Sequence, residues 1–453
     1  MEEWGKPVHR RRRLFVGLTC AASAIVLLCP AGLSAGTYYV RTGGNDSDSG
    51  SFPSRVWQTL AKAAATAKAG DTVIVGAGEF VGQMAFAASG TADAPIVFLA
   101  DTGGEFTTDV GSCVVTAAKG SVIVLDEQSH IQFRGMSFRG TGTLIVNSLR
   151  STGIWFHECQ FFQASSDVMR FHGSGSIQLS RCTFRDNGGQ AIKAKAGASL
   201  TVRECLFTKN AGGVVSLESD DCSLRMTRSR LLSNGNVALQ LGASSAIVNC
   251  LLAKNRTGIV IDADKVTVAF CTLVDQQGDA CVLQSGEEVI IANSIVTSSR
   301  GRGIERHSGQ LVLANNLVFD NRGSNYEGTA AGPTDLKAPP LFADEVDYQL
   351  GRKSPAINAA TYMELNEDLF GSNRPLGGGY DIGCHEFISP KRPNVYYVRR
   401  TGDDTNDGSR PKSVWRRWAT RRRLQWLVTE FTSGVACTLK PSLFTGPGRW
   451  NSQ

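Results

Sequence analysis

The chain has 453 residues, enough for one large domain or for two to three ordinary ones. Its 49 glycines, 14 prolines and moderate hydrophobicity are typical of a β-rich soluble protein. The formal net charge of +6 comes from the two ends, since residues 1–36 carry +3 and residues 391–453 carry +9, which leaves −6 on residues 37–390. An acidic body excludes a broad nucleic-acid interface, because such an interface needs a basic face on the folded part.

The first predicted element is an export signal in residues 1–36. The arginine run "HRRRRLF" forms a positive start, the apolar run "LFVGLTCAASAIVLLCPAGL" follows, and Ala35 offers a small residue for cleavage. An uncleaved membrane anchor stays open, because the apolar run approaches the ~20 residues that span a bilayer. We expect the rest of the chain to be secreted or held in the cell envelope, with membrane contact only through this segment.

Residues 37–81 read as a small cap. The stretch "WQTLAKAAATAKAG" predicts a helix that ends near Gly70, and "TVIVG" predicts the strand after it. The loop "GNDSDSG" resembles a calcium-binding loop, but hydrogen-bonded turns rich in Asn and Asp have the same composition. We therefore expect no cofactor, with calcium as the open alternative.

From residue 130 onward one short phrase returns about every 23 residues, as in "HECQF", "SRCTF" and "RECLF". Short alternating apolar runs and polar Asn-x-x-Gly turns surround each phrase, which predicts half-buried strands and turns with positive φ. A fixed period of this length indicates stacked units that bury a continuous core. The central residues of the phrase are Met136, Cys159, Cys182, Cys205, Arg230, Cys250, Cys271, Ser294 and Asn316.

These central positions predict an internal ladder of stacked side chains, with Cys159, Cys182 and Cys205 at its centre. Residues 37–390 contain nine cysteines, an odd number, so at least one thiol has no partner in the same chain. In-register stacking favours buried free thiols over disulfides. A metal site is disfavoured, because no CxxC pair or histidine spacing accompanies the cysteines.

The cap sequence from "TYYVRTGG" to "VIVGAGEF" resembles the start of many bacterial right-handed parallel β-helix proteins of the pectin-lyase-like superfamily. The stretch "DYQLGRKSPAINAA" and the later "GGGYDIGCHEF" resemble the closing segment of the same proteins. The resemblance covers residues 37–387 and implies an all-β fold, a parallel β-helix of about eleven coils capped by a short N-terminal helix. It implies little about function, since this fold supports many chemistries.

Aligning the coils brings "VMRFH", "AIKAK" and "VVSLE" side by side as equivalent strands. Alternation turns one set of side chains inward and the other outward. The outward set is Arg170, His172, Lys193, Lys195, Ser216 and Glu218. Such a cationic patch suits an acidic sugar, and a lysine among cations is a candidate base for abstracting a uronate C5 proton.

The segment "AIKAKAGASLTVRECLF" also resembles the lysine-bearing coil of β-helix alginate and chondroitin lyases, which implies Lys195 as the base. Our candidate catalytic residues are Lys195, Lys193 and His172, and our candidate substrate-binding residues are Arg170 and Glu218. Those lyases have an arginine where this chain has Glu218. The competing interpretation is a solvated polar face on a solenoid that binds carbohydrate or acts as a scaffold.

Residues 395–415, "VYYVRRTGDDTNDGSRPKSVW", repeat the start of the cap and end on Trp415 as the first copy ends on Trp57. The arginine-rich sequence after Trp415 does not continue the repeat. A reading-frame shift of two bases there would restore an alanine-rich helix and a strand like those of the first copy. We therefore interpret 37–390 as the β-helix, 391–415 as the start of a second, truncated cap, and 416–453 as a disordered out-of-frame tail.

Overall fold

The computed structural model describes residues 35–389, apart from 118, 141–143 and 174, together with a few residues nearer the C-terminus. Residues 1–34 of the predicted signal segment therefore lie outside the described residues. Most of the predicted second cap and of the predicted tail also lies outside them. Within residues 387–453, which form a unit of their own, Cys437–Lys440 pairs antiparallel with Val395–Tyr396 and with Leu427–Val428. None of the helices among the described residues is long and apolar enough to cross a membrane.

Residues 37–327 form a parallel β-helix of about eleven coils, as the 23-residue period predicted. Each coil gives one strand to each of three parallel sheets, so every sheet pairs strands from successive coils. The first sheet consists of Thr37–Val40, Thr72–Val75, Ile96–Ala100, Ile131–Arg134, Ile154–His157, Gly175–Ser180, Ala198–Arg203, Ser223–Thr227, Ser244–Val248, Lys265–Ala269, Glu288–Ala292 and Leu311–Ala314.

The second and third sheets each have eleven strands. The second sheet consists of Gly78–Val81, Cys113–Thr116, Ser137–Arg139, Gln160–Phe162, Thr183–Arg185, Leu206–Thr208, Arg230–Leu232, Leu251–Ala253, Thr272–Val274, Ile295–Thr297 and Leu317–Phe319. The third sheet consists of Met84–Ala85, Ile123–Asp126, Val146–Leu149, Met169–His172, Ile192–Lys195, Val215–Leu217, Val237–Leu241, Thr257–Asp262, Cys281–Ser285, Arg302–Arg306 and Ser324–Glu327.

The N-terminal cap contains the predicted helix, which is shorter than its alanine-rich sequence and runs from Leu60 to Thr66. Thr59 caps it by accepting a hydrogen bond from the Lys62 amide at 3.1 Å, the usual role of a threonine at this position. Ala63 and Ala64 face the core. The helix ends early because Ala67 is already extended, and Gly70 lies in the following turn with φ +87°.

The interior contains ladders of stacked side chains, two of which lie side by side. In the second sheet four inward phenylalanines stack face to face, with ring centroids 4.6–5.2 Å apart: Phe138, Phe161, Phe184 and Phe207. Beside them lies the predicted cysteine ladder. All nine cysteines of residues 37–390 are buried and unpaired, as predicted, and burial raises the pKa of the Cys113 and Cys281 thiols to about 12.

The prediction of the ladder is wrong for one residue, Arg230. Arg230 is the first residue of a second-sheet strand and lies half-buried on the outer face, where it pairs with Leu206 and Leu251. The ladder position belongs to Ser229, which is fully buried and accepts a hydrogen bond from the Cys205 amide at 3.1 Å. A serine hydroxyl therefore occupies the place of a thiol.

The predicted turns with positive φ are present, but the asparagines have a different role in them. Asn187, Asn210, Asn234 and Asn255 are buried, and each of the first three donates its side-chain amide to the side-chain oxygen of the next, at 2.7–2.9 Å. The positive φ falls on the residue before each asparagine, for example Asp186 and Lys209. The asparagines are present because stacked amides satisfy one another's hydrogen bonds inside the solenoid.

Residues 336–386, here called the C-terminal segment, return along the solenoid and cover the outer face of the later second-sheet strands. Tyr348, Leu369 and Cys384 form a second hydrophobic cluster with Leu251 and Val274 of those strands. The Cys384 amide donates to the Thr272 hydroxyl at 3.2 Å, and the Gly383 amide donates to the Asn293 carbonyl at 2.8 Å. The C-terminal segment thus covers this face, whereas outward side chains of the first and third sheets on the earlier coils, such as Gln178 and Lys195, are exposed among the described residues.

Candidate functional site

The predicted cationic patch lies on the outer face of the third sheet, and we call its six residues, Arg170, His172, Lys193, Lys195, Ser216 and Glu218, the third-sheet patch. The register places Arg170 beside Lys193, His172 beside Lys195, and Lys193 beside Ser216. The alternate residues of the same strands, such as Phe171 and Ala194, are buried in the core. The sequence alignment of the coils therefore has the correct register here.

Glu218 joins the two lysines. Its two carboxylate oxygens each contact one ammonium group at 2.6 Å, Oε1 with Lys193 and Oε2 with Lys195. The side chains of Lys193 and Lys195 are 34% and 46% exposed, and that of Glu218 is 26% exposed. The three side chains form one bridged unit that an incoming ligand can reach.

The position of Glu218 follows from the end of its strand. It comes directly after Val215–Leu217, and its amide donates to the Ala194 carbonyl at 2.9 Å, which continues the ladder between the coils. Partial burial by itself would raise the pKa of the Glu218 carboxyl. The hydrogen bonds and charges of Lys193 and Lys195 outweigh that effect and lower its pKa below the usual value, so the carboxylate is ionised at neutral pH.

Arg170 is held at the edge of the patch by a residue that the sequence analysis did not identify. Its Nε donates to the Asp167 carboxylate at 2.9 Å, and the other oxygen of Asp167 accepts from the Gln190 amide at 3.0 Å. Asp167 lies three residues before Arg170, a spacing that the sequence already shows. His172 is half-buried and lies in register with Lys195.

The chemistry of this arrangement favours binding of anions over proton abstraction. Apart from His172, three cationic side chains face the carboxylates of Asp167 and Glu218, which leaves one excess positive charge. Each lysine keeps exposed N–H donors, so a ligand carboxylate can join the existing pairs. An ammonium group bridged to a carboxylate has no free lone pair with which to accept a C5 proton.

In the predicted calcium loop, the Asp46 carboxylate already accepts hydrogen bonds from other residues of the chain. The Asp46 side chain accepts hydrogen bonds from the Gln58 amide, the Thr59 amide and the Thr59 hydroxyl at 2.6–2.9 Å, and so anchors the start of the cap helix. Asn45 accepts from the Ser47 amide, as in an Asx turn. Within residues 35–389, apart from the gaps given above, no group of three or more His, Cys, Asp or Glu side chains could hold a metal ion.

The coil register and the three parallel sheets define the class of this protein, a right-handed parallel β-helix. The family model described as the right-handed β-helix region matches residues 97–270 and 217–332, which together make up more than half of the chain. The chain belongs to this family.

Similar solved structures include carbohydrate-active proteins. XylC in complex with xylose has 11% sequence identity and a TM-score of 0.50, covering 78% of this chain and 98% of that one. Pectate lyase Pel9A has 15% identity and a TM-score of 0.47, covering 79% and 98%. The PL6 family polysaccharide lyase Pedsa3628 from Pseudopedobacter saltans has 15% identity and a TM-score of 0.46, covering 78% and 100%. At such identities the similarity shows the fold alone. No curated protein matches the chain.

Proposed function

We propose that this chain is an exported β-helix that binds an acidic polysaccharide through the third-sheet patch. The observation that supports this is the bridge from Lys193 and Lys195 to Glu218, in which two partly exposed ammonium groups of one strand lie 2.6 Å from a carboxylate of the next coil. Alternate residues of a strand are about 7 Å apart, so the two cations can meet neighbouring groups of a glycan. Arg170 adds a third cation in register with Lys193.

Export is part of the proposal, and it rests on the sequence of residues 1–36. The arginine run, the apolar run and the small residue at Ala35 together form a signal pattern. An exported solenoid with a cationic patch would meet glycans of the cell surface or of the surroundings.

The alternative is a polysaccharide lyase or glycoside hydrolase that uses the same patch. Of the two lysines, Lys195 is the more exposed and lies beside His172. A uronate carboxylate that displaced Glu218 would free Lys195 for a role as base. Glu218 opposes this, because its carboxylate is ion-paired to both ammonium groups at 2.6 Å.

Replacing both lysines by methionine should weaken binding of polygalacturonate at least tenfold, with the full-length chain at low ionic strength. A tenfold change corresponds to about 1.4 kcal/mol, and the loss of two cations together with an unpaired Glu218 exceeds this. Binding is measured by retardation in a gel that contains the polymer.

The matched control is Lys265→Met. Lys265 is also ion-paired to a glutamate, Glu288, at 3.0 Å, but it lies on the first sheet several coils away. The Lys265→Met variant should bind polygalacturonate with an affinity within twofold of the wild type. Equal weakening in the control, or unchanged binding in the double variant, would remove the third-sheet patch as the binding site.

A further inference from the structure

The outer face of the first sheet holds a second group of exposed side chains, distinct from the third-sheet patch. Between Ile131 and Thr227 the outward positions form two rows that run along the solenoid axis. One row is Gln132, Trp155, Gln178, Thr201 and Arg225, and the other is Arg134, His157, Ser180, Arg203 and Thr227. We call these ten residues the first-sheet face.

Trp155 is the single large aromatic side chain of this face, and its ring is fixed from three directions. The Arg134 guanidinium lies 4.9 Å from the ring centroid, and the His157 ring centroid lies 5.3 Å away. The indole N–H donates to the Ser180 hydroxyl at 3.1 Å. A half-buried tryptophan held in one orientation offers a rigid apolar surface at low entropic cost.

The charge of this face is positive. None of the five strands from Ile131 to Thr227 that form it contains an aspartate or glutamate, whereas Glu288 appears in the same sheet further along. Two carboxylates, Glu158 and Glu204, lie in the turns that follow these strands, and Asp220 and Asp221 lie in the turn before the last strand. Glu158 contacts Arg181 at 3.4 Å, and Glu204 is shared by Arg181, Arg203 and Arg228. Glu158 and Glu204 are therefore already occupied by arginines.

Arg225 is the most available cation of the face. It is exposed, and no ion pair among the described residues includes it. It lies in the same row as Trp155, three coils further on, and hence about 14 Å away at a coil spacing of ~4.8 Å. The exposed side chains of Gln178 and Thr201 lie between them.

We infer that the first-sheet face is a second binding track for an acidic polysaccharide lying along the solenoid axis. One pyranose ring packs its C–H face on the side of the Trp155 ring that Arg134 does not cover, because aromatic rings present a flat apolar surface to such groups. Gln178 and Thr201 bind hydroxyls of the following sugars, and Arg225 binds a carboxylate or sulfate further along the chain. Coil spacing and sugar spacing are similar, so successive coils meet successive sugars.

This inference does not rest on the third-sheet patch, because the two groups of residues lie on different sheets. Either surface can be removed by substitution without touching the other. The two surfaces together would let one solenoid hold two glycan chains, or hold one chain at two places.

Tryptophan fluorescence of the full-length chain, titrated with oligogalacturonates, tests the inference. The wild type should show a saturable change that disappears in Trp155→Phe, a variant that keeps an aromatic ring in place but removes the indole reporter. Arg225→Ala should keep the signal and lose five- to tenfold in affinity. The Lys193→Met/Lys195→Met variant should keep both the signal and its affinity.

Three results would overturn the inference. The first is an equal fluorescence change in Trp155→Phe, which would assign the signal to other tryptophans. The second is loss of the signal in the double lysine variant, which would place the only site on the third sheet. The third is an equal response to carboxyl-reduced oligomers, which would exclude the anionic class of ligand.

Discussion

Replacing Phe184 by alanine should lower the free energy of unfolding by about 3–5 kcal/mol, the range for deleting a buried aromatic ring. Phe184 is fully buried and stacks on the rings of the preceding and following coils, Phe161 at 4.6 Å and Phe207 at 4.7 Å. In a solenoid each coil contacts only its neighbours, so a cavity here weakens two coil interfaces at once. Denaturant unfolding followed by circular dichroism measures the loss.

Arg185→Ala is the matched control for this experiment. Arg185 lies next to Phe184 on the same strand but points outward, with its guanidinium 4.6 Å from the Phe162 ring centroid and 3.2 Å from Asp186. An exposed pair of this kind contributes about 1 kcal/mol or less. Similar losses in both variants would contradict the stacked aromatic core.

Glu386→Ala should lower the free energy of unfolding by about 3–5 kcal/mol, because it leaves a charge buried without its partner. Glu386 and Arg374 contact each other at 2.9 Å, and neither side chain is exposed to solvent. Burial raises the pKa of Glu386 and lowers the pKa of Arg374, and the attraction between the two charges opposes both shifts. Arg374 also lies 4.5 Å from the Phe270 ring centroid, so the pair fastens the C-terminal segment to the solenoid.

The double variant Arg374→Met/Glu386→Leu separates the pair from its individual charges. Replacing a buried ion pair by apolar residues of similar volume is often neutral or stabilising. We expect the double variant to recover most of the stability that Glu386→Ala loses in the same denaturant titration. A double variant as unstable as the single one would show that backbone hydrogen bonds to these side chains, rather than the charges, hold the segment.

The fold could be predicted because the same pattern of apolar and polar residues recurs in successive coils. Nine copies of one phrase at a nearly constant period fix the coil length, and alternation fixes which side chains face the core. Phe171, Ala194 and Leu217 are all buried, as the alternation predicted. One error in spacing, such as Arg230 taken for Ser229, does not alter the architecture because the neighbouring coils fix the register.

Two features of the fold depend on contacts that a local pattern does not contain. In the sequence, the asparagines that follow the second-sheet strands resemble ordinary turn residues. Their side chains form a ladder only because successive coils bring Asn187, Asn210 and Asn234 into register. The C-terminal segment was expected from its resemblance to closing segments. Its place over the second sheet depends on long-range contacts such as that between Cys384 and Thr272.

For the candidate site, the sequence predicted which side chains come together but not how they pair. The register of Arg170, Lys193 and His172 with their neighbours follows from the repeat. The bridge from Glu218 to both lysines depends on rotamers that no spacing specifies. The sequence did not predict Trp155 as a binding residue, because a tryptophan in an alternating strand is as consistent with packing as with binding.

The most direct test of the proposed function follows binding and cleavage of polygalacturonate in one experiment. The wild-type chain is incubated with the polymer, with and without calcium, while retention of the polymer and absorbance of an unsaturated product are both recorded. The account predicts saturable retention that weakens at least tenfold without Lys193 and Lys195, with the remainder due to the first-sheet face, and no rise in absorbance. A rise in absorbance that disappears in Lys195→Ala would contradict it and would establish a lyase with Lys195 as its base.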